Sequence, residues 1–231
     1  MKEEKTERLP LLFPLAGILF YLILSAVAPH VPSGNLTELP RAVALLLFDL
    51  IYAKSAVRYG MHLLPHTKVP LFAVLSATLP LLGLLQFVKG IEPMPLPKAA
   101  TAVLLCAAVS ATEELLFRGT LTPALNARLP LPASLLLSDG LFAMLHGLNL
   151  FTGHNLAAVL LQIAAAFLCG LLLEMLHAMA EGLLPCMLFH FLFNVSGRFS
   201  SDSLTVNLIL LSLYAALTLV LAFLLHYKKR R

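Results

Sequence analysis

The sequence predicts an all-α polytopic membrane protein of about eight transmembrane helices that enclose a cytoplasm-facing polar cavity, and three observations support the fold class. Of its 231 residues, 59% are hydrophobic and only 12% are charged, whereas soluble domains carry about 25% charged residues. The mean hydropathy is +0.89. Apolar runs near the roughly 20 residues that a helix needs to cross the hydrocarbon core recur along the chain. We therefore expect one integral membrane domain.

Eight apolar segments are the candidate spans, and proline or glycine marks most of the gaps between them. In chain order they are residues 10–28, 41–58, 69–88, 98–127, 131–148, 155–176, 182–195 and 204–227. Asp49 and Lys54 interrupt the second, and the seventh is short for a span. The first ends in a sequence that resembles a signal-peptide cleavage site, Ala26-Val27-Ala28. Because its apolar run is long for a signal peptide and Pro29 would follow the cut, we expect a retained span.

The basic residues predict the orientation. With eight spans both termini share a side, and that side collects twelve of the 16 Lys and Arg residues, against Arg41, Lys89, Lys98 and Arg198 on the other. The positive-inside rule then predicts that both termini are cytoplasmic. With no eukaryotic sorting signal visible, we expect a prokaryotic plasma membrane. The net charge of +4 lies largely at span ends and termini, so we expect the lipid bilayer and no nucleic acid as a partner.

Ionisable residues inside an apolar run are a functional hypothesis by default, because charge at bilayer depth is costly. Glu113 and Glu114 lie side by side in the fourth segment, and Arg118 follows. Glu114 and Arg118 are i,i+4 neighbours on a helix, so we expect them to pair in a supporting role. Glu113 lies about 100° away around the helix and lacks that partner. We therefore expect Glu113 to be available for chemistry.

Histidines in two later segments are expected to meet Glu113. The sequence midpoint between Glu113 and His146 falls in a Leu-Pro-Leu-Pro run at 129–132, where a helical hairpin would turn and bring both residues to the same height. His190 lies in the short seventh segment, and Asn194 is one turn further on the same face. All of these groups would lie near one level, close to the cytoplasmic surface.

Two residues near His146 are expected to support it. Phe142 lies one turn before His146 and is expected to pack against the site. Asp139 lies two turns before His146 on the same face, and we expect a structural or supporting role for it.

These motifs resemble those of a known family. Glu113-Glu114-x-x-x-Arg118, Phe142-x-x-x-His146 and His190-x-x-x-Asn194 are similar, in order, to the motifs of the CPBP family of CAAX proteases and bacteriocin-processing enzymes, also called the Abi family. The resemblance covers about residues 98–197, the expected catalytic core. Residues 1–97 would supply N-terminal spans, and 204–227 the last span.

The resemblance implies a membrane-embedded glutamic endopeptidase that needs no metal or other cofactor and acts on a membrane-associated protein or peptide. In the Ras-converting CAAX endopeptidases of this family, the matching residues imply that Glu113 and His146 hold and activate a water. His190 and Asn194 would stabilise the oxyanion. The substrate does not follow, since the family covers prenylated-protein processing, bacteriocin maturation and sorting-linked processing.

Other classes of function remain open. Glu113, His146 and His190 could form a zinc site of two histidines and one carboxylate, although the HExxH signature is missing. A serine protease would need a Gly-x-Ser-x-Gly elbow, and an aspartyl protease would need Asp49 and Asp139 to pair. A transporter or scaffold could use the buried acids and histidines as a relay, although no inverted repeat is visible. An inactive family member that binds partners is a further alternative.

Overall fold

A computed structural model describes residues 9–27, 38–152 and 155–230, and within these ranges the chain is helical apart from turns and one isolated bridge between Ile91 and Ser200. The helices are α1 (Leu12–Val27), α2 (Leu39–Val57), α3 (Pro70–Thr78), α4 (Leu96–Leu116), α5 (Thr122–Asn126), α6 (Leu131–Leu145), α7 (Leu156–Ala180), α8 (Leu184–Arg198) and α9 (Leu204–Arg230). The predicted all-α class is confirmed. Ala28, the last residue of the sequence that resembles a cleavage site, and Pro29 after it lie outside the described residues.

Three segments continue α-helices with a different hydrogen-bond spacing. A 3₁₀ helix, Leu79–Lys89, extends α3, and another, His146–Thr152, extends α6. A π-helical segment, Phe117–Leu121, joins α4 to α5. The chain therefore forms helical rods at each of the eight predicted segments.

Local sequence explains where several rods begin. Proline needs no amide partner and its φ suits the first helical turn, and it occupies that turn in α2, α3, α4, α6 and α8. At α7 the cap is a side chain, because Asn155 Oδ1 accepts a 2.8 Å hydrogen bond from the Ala158 amide. Prolines at the gaps between the predicted segments therefore mark where helices begin.

Five rods in the described part of the chain are long and apolar enough to cross a membrane. They are Pro70–Lys89, Leu96–Asn126, Leu131–Phe151, Leu156–Ala180 and Leu204–Lys228. The apolar helix α1 is shorter, and α8 has 15 residues. An integral membrane protein is thus confirmed, while a total of eight spans stays a prediction.

Buried apolar side chains form two clusters on either side of the polar centre. One joins α1, α2, α4 and α6 around Leu45, Leu116 and Phe142. The other joins α3, α7, α8 and α9 around Leu173, Phe189 and Tyr214. Between the two clusters lies the rod Leu96–Asn126, which contacts α6, α7 and α8 and carries Glu113 and Glu114.

Small residues permit close contact between rods, as is common in membrane bundles. At Gly83 an added Cβ would lie 2.7 Å from Phe189 O and 2.8 Å from Phe193 N, so the backbones of the α3 rod and α8 touch. The Ser196 hydroxyl of α8 donates to Gly83 O at 2.6 Å. This contact locates the helix that carries His190.

The bundle has two ends that matter for access to the site. We call the end that holds Leu9, Asn126 and the last turn of α9 the terminal face. There Arg128 Nη1 donates to Leu9 O at 3.2 Å and Lys228 Nζ pairs with Glu181 Oε1 at 3.2 Å.

We call the other end the opposite face. It holds the end of α1 and the starts of α2 and α4. Arg198 Nη2 pairs with Glu38 Oε1 there at 2.5 Å, and Lys89 Nζ donates to Asn207 Oδ1 at 3.1 Å.

Candidate active site

The α5–α6 hairpin turns where the sequence predicted. α5 ends at Asn126 and α6 begins at Leu131. The intervening turn carries Pro130, and the Leu129 amide donates to Leu125 O at 2.8 Å. The hairpin sets the rod that carries Glu113 beside the rod that carries His146.

The π-helical segment that follows the acidic pair was not predicted. The Phe117 amide still donates to Glu113 O in the α pattern, after which the wider turn begins. Thr120 Oγ1 donates to Leu116 O at 2.8 Å and lies 2.8 Å from the Tyr52 hydroxyl. π-helical turns often occur at functional sites, and here the segment sets the position of Arg118.

Arg118 is the centre of a buried ionic network. Its Nη1 donates to Glu114 Oε1 at 3.2 Å, and its Nη2 to Asp139 Oδ1 at 2.8 Å. Its Nε lies 3.7 Å from Glu174 Oε1. Neither Arg118 nor Asp139 has an exposed side-chain surface. The expected Glu114–Arg118 pair is present, and the network ties α4, α6 and α7 together.

Glu174 is also held by hydroxyl groups. The Thr122 hydroxyl donates to Glu174 Oε1 at 2.5 Å and lies 2.8 Å from Ser138 Oγ. These contacts connect α5, α6 and α7 just beyond Arg118. Glu174 lies within the sixth predicted apolar segment, so the rule that singled out Glu113 would have found it too.

His190 connects the two adjacent glutamates. Its Nδ1 lies 2.7 Å from Glu114 Oε1, and its Nε2 lies 3.5 Å from Glu113 Oε2. An ionised carboxylate only accepts hydrogen bonds, so Nδ1 carries the proton toward Glu114. Glu114 therefore orients the His190 ring as well as pairing with Arg118.

Glu113 has a second neighbour that sequence reasoning missed. The Tyr21 hydroxyl of α1 donates to Glu113 Oε1 at 2.6 Å. Both side chains are buried. The expectation that Glu113 is outside the Arg118 pair holds in the described structure, but Glu113 has hydrogen-bonding partners of its own. Nothing in the sequence around Tyr21 indicates this contact.

Phe142 lies at the centre of the site. Its ring contacts those of His146 and His190 edge-on, with centroids 5.1 Å and 6.0 Å away. The Arg118 guanidinium carbon lies 4.8 Å from its ring centroid, within the range of cation–π attraction. Phe142 therefore packs against both histidines and the ionic network.

His146 is oriented by its own helix end. Its Nδ1 lies 3.1 Å from Phe142 O. Because a carbonyl only accepts, Nδ1 is the donor and Nε2 is left as the acceptor of the neutral ring. His146 is the first residue of the 3₁₀ segment that follows α6.

Asn194 lies one turn beyond His190 on α8. Its Nδ2 donates to Ser110 Oγ at 3.0 Å. The side-chain amide has two N–H donors, so this bond uses only one of them.

Two cavities meet at His146 and Phe142. The first, which we call the site cavity, has a volume of about 430 Å³ and is lined by Tyr21, Arg41, Glu113, Phe142, His146 and eight further described residues, including Ser25 and Asn149. The second has about 120 Å³, and its lining includes Phe142, His146, His190 and Asn194. The structure thus brings the four predicted catalytic residues around two adjoining spaces.

The site cavity extends toward the opposite face, because its walls include Arg41 at the start of α2 and Leu148 beyond the end of α6. Cavities near the terminal face reach Arg118 and Glu174 instead. In this respect the structure differs from our expectation, which placed the polar cavity on the face of the termini. The physical reason is that the Arg118 network and the π-helical segment fill the space between Glu113 and the terminal face.

Within the described residues, no group of three or more His, Cys, Asp or Glu side chains is arranged to hold a metal ion. Of the three residues of the zinc hypothesis, Glu113 and His190 are the pair with a short contact, at 3.5 Å.

Comparison with known proteins gives a family match over the region that carries this site. Residues 95–196 match the family described as Type II CAAX prenyl endopeptidase Rce1-like. The resemblance drawn from the motifs is thereby confirmed, and the match implies a protease. Neither curated proteins nor solved structures give a match to the chain.

Proposed function

Starting from an Rce1-like endopeptidase region at residues 95–196, we propose that this protein is an intramembrane glutamic endopeptidase of the CPBP type. It hydrolyses a peptide bond in a membrane-associated, CAAX-type protein or peptide. The observation that carries the proposal is the placement of Glu113 and His146 on one cavity, with His190 Nε2 only 3.5 Å from Glu113.

Glu113 is the general base in this mechanism. Tyr21 occupies its Oε1, which leaves Oε2 to accept a proton from a water molecule. The water oxygen then bonds to the scissile carbonyl carbon and gives a tetrahedral intermediate. Collapse of that intermediate breaks the C–N bond, and the proton passes from Glu113 to the leaving amine. A positioned base of this kind contributes about 10²–10⁴ in rate.

His146 orients the attacking water. Because Nδ1 donates its hydrogen bond to Phe142 O, Nε2 is available to accept a hydrogen bond from water or to relay a proton to the leaving amine. The edge-on contact with Phe142 restricts the ring, so the acceptor keeps its direction between catalytic cycles.

His190 and Asn194 stabilise the oxyanion. His190 donates through Nε2 when both of its ring nitrogens carry protons, while Nδ1 stays bonded to Glu114. Asn194 donates through the amide hydrogen that Ser110 does not use. One such donor contributes about 10²–10³ in rate.

The cavity walls support a membrane-associated substrate. Leu22, Val109, Leu145 and Phe151 line the site cavity beside its few polar groups, and ligand sites of about 300–1,000 Å³ usually combine these two kinds of surface. Such walls suit an aliphatic peptide segment. We also propose a prokaryotic plasma membrane with cytoplasmic termini, from the charge distribution. The site cavity would then extend toward the extracytoplasmic side.

A comparison of peptide termini across the membrane proteome tests the function. Host cells that lack the gene are complemented at matched protein abundance with wild type, Glu113→Gln or the control Glu181→Gln. Glu181 contacts Lys228 on the terminal face, so its replacement removes a carboxylate outside the site. We expect new termini with wild type and Glu181→Gln but not with Glu113→Gln. Identical termini in all strains would refute the proposal.

A further inference from the structure

Arg41 is the remaining charged group on the walls of the site cavity. Of the described residues that line this cavity, Glu113 is the only acid and Arg41 the only Lys or Arg. Most other wall residues are apolar. A substrate that fills the cavity would therefore meet one carboxylate at depth and one guanidinium nearer the opposite face.

The guanidinium of Arg41 has unused donors. Its Nη2 donates to Ser25 Oγ at 3.2 Å. Its Nε is buried and has no hydrogen-bond partner among the described residues, and no described carboxylate forms an ion pair with Arg41. A buried donor without a partner is costly. A guanidinium presents five N–H donors, and two of them can bind a carboxylate in a bidentate geometry.

The spacing along α1 relates this guanidinium to the reacting centre. Tyr21 contacts Glu113, and Ser25, which contacts Arg41, follows Tyr21 by one helical turn. One turn rises about 5–6 Å, while an extended peptide advances about 3.3 Å per residue. The Arg41 guanidinium, which also interacts with the Tyr21 side chain, thus lies at most about two residues of extended chain from a carbonyl at Glu113.

We propose that Arg41 binds the C-terminal carboxylate of the peptide substrate and so sets the distance between the chain end and the scissile bond. The inference rests on the proposed function and assigns a specificity-determining residue outside the three motifs. Arg41 lies on α2, before the region that matches the family. A carboxylate in that position satisfies the Nε donor and gives Arg41, the one Lys or Arg among the described wall residues, an anionic partner.

A comparison of two peptides tests this role. Wild type, Arg41→Gln, Arg41→Lys and Arg198→Gln are reconstituted in vesicles of phosphatidylcholine alone, so that no lipid with a net negative charge competes for Arg41. Each receives a farnesylated fluorogenic peptide ending in Cys-Val-Ile-Met, either as the free acid or as the C-terminal amide. The measured quantity is the ratio of kcat/KM for the acid to kcat/KM for the amide.

We expect wild type to favour the free acid by about 10- to 100-fold, the range for a charge-assisted hydrogen bond. In Arg41→Gln the ratio should fall to near one, mainly through a higher KM for the acid, and Arg41→Lys should retain part of the preference. Arg198→Gln removes an arginine of the same face that pairs with Glu38 outside the cavity, so its ratio should match that of wild type. A preference that survives in Arg41→Gln, or is absent in wild type, would overturn the proposal.

Binding separates this inference from the proposed function. The same two peptides, carrying a fluorescent label, are titrated against Glu113→Gln alone and against Glu113→Gln combined with Arg41→Gln, with fluorescence anisotropy as the readout. Tighter binding of the acid that depends on Arg41 supports the anchor even if neither peptide is hydrolysed. Hydrolysis without any dependence on Arg41 would support the protease and refute the anchor.

Discussion

The Tyr21 hydroxyl donates a 2.6 Å hydrogen bond to Glu113 Oε1 across the contact between α1 and α4. This bond connects a helix outside the family match with the proposed catalytic base. It fixes which carboxylate oxygen is left for water.

Tyr21→Phe should lower kcat about 10- to 100-fold while the protein still folds. The ring remains in place, and only the bond that orients the carboxylate is lost; a hydrogen bond to a charged group contributes about 1.5–3 kcal/mol. Hydrolysis in detergent and thermal unfolding are measured together. Tyr214→Phe is the matched control, since the Tyr214 hydroxyl donates to Leu82 O away from the site. Unchanged kcat in Tyr21→Phe would refute an orienting role.

The adjacent glutamates should respond differently to the same change. Glu113→Gln removes the proposed base, so activity should fall by at least about 10²-fold with little change in the unfolding temperature. Glu114→Gln weakens contacts to both Arg118 and His190, so it should lower stability and yield as well as activity. Full activity in Glu113→Gln would contradict the mechanism.

Loss of Arg118 should be among the most destabilising single changes. Arg118→Met leaves Glu114, Asp139 and Glu174 without their shared cation in the centre of the bundle, and breaking a buried ion pair costs about 3–5 kcal/mol. Yield and thermal unfolding in detergent are the measurements. Arg58→Met, at an exposed position, controls for the loss of a positive charge. Equal stability of the two variants would show that the network does not stabilise the fold.

Two glycines offer a paired test of packing around that network. At Gly170 an added Cβ would lie 2.6 Å from Asp139 Oδ1 and 3.0 Å from Arg118 Nη2, while at Gly140 nothing lies within 4 Å. Gly170→Ala should therefore cost about 1–3 kcal/mol by overpacking. Gly140→Ala, on helix α6, should be neutral or stabilising by about 0.5–1 kcal/mol. Similar unfolding temperatures for the two variants would mean that the network tolerates displacement.

Thiol labelling should show which compartment the site cavity serves. Lys68→Cys places a thiol at the terminal face and Glu92→Cys at the opposite face, both at exposed positions. If the termini are cytoplasmic, a membrane-impermeant maleimide added to intact cells should label Glu92→Cys and spare Lys68→Cys. Wild type controls for Cys106, Cys169 and Cys186. The reverse pattern would refute the charge-based orientation and place the site cavity toward the cytoplasm.

The helical rods, the turn between α5 and α6 and the Glu114–Arg118 pair could all be predicted from the sequence alone. Hydrophobic runs, proline positions and i,i+4 spacing act within one segment or between neighbours, so their effects can be read in order along the chain. The resemblance to a family of CAAX proteases could also be recognised, because the motifs that carry it are short local patterns.

The residues that contact the motifs from distant parts of the chain could be found only from the packing of the helices. Tyr21 and Arg41 lie on helices far from Glu113 in sequence, and neither belongs to a periodic or spaced pattern that predicts contact. The face toward which the site cavity extends depends on which side chains fill the bundle. There the buried Arg118 network and the π-helical segment occupy the space on one side of Glu113, so the cavity remains on the other.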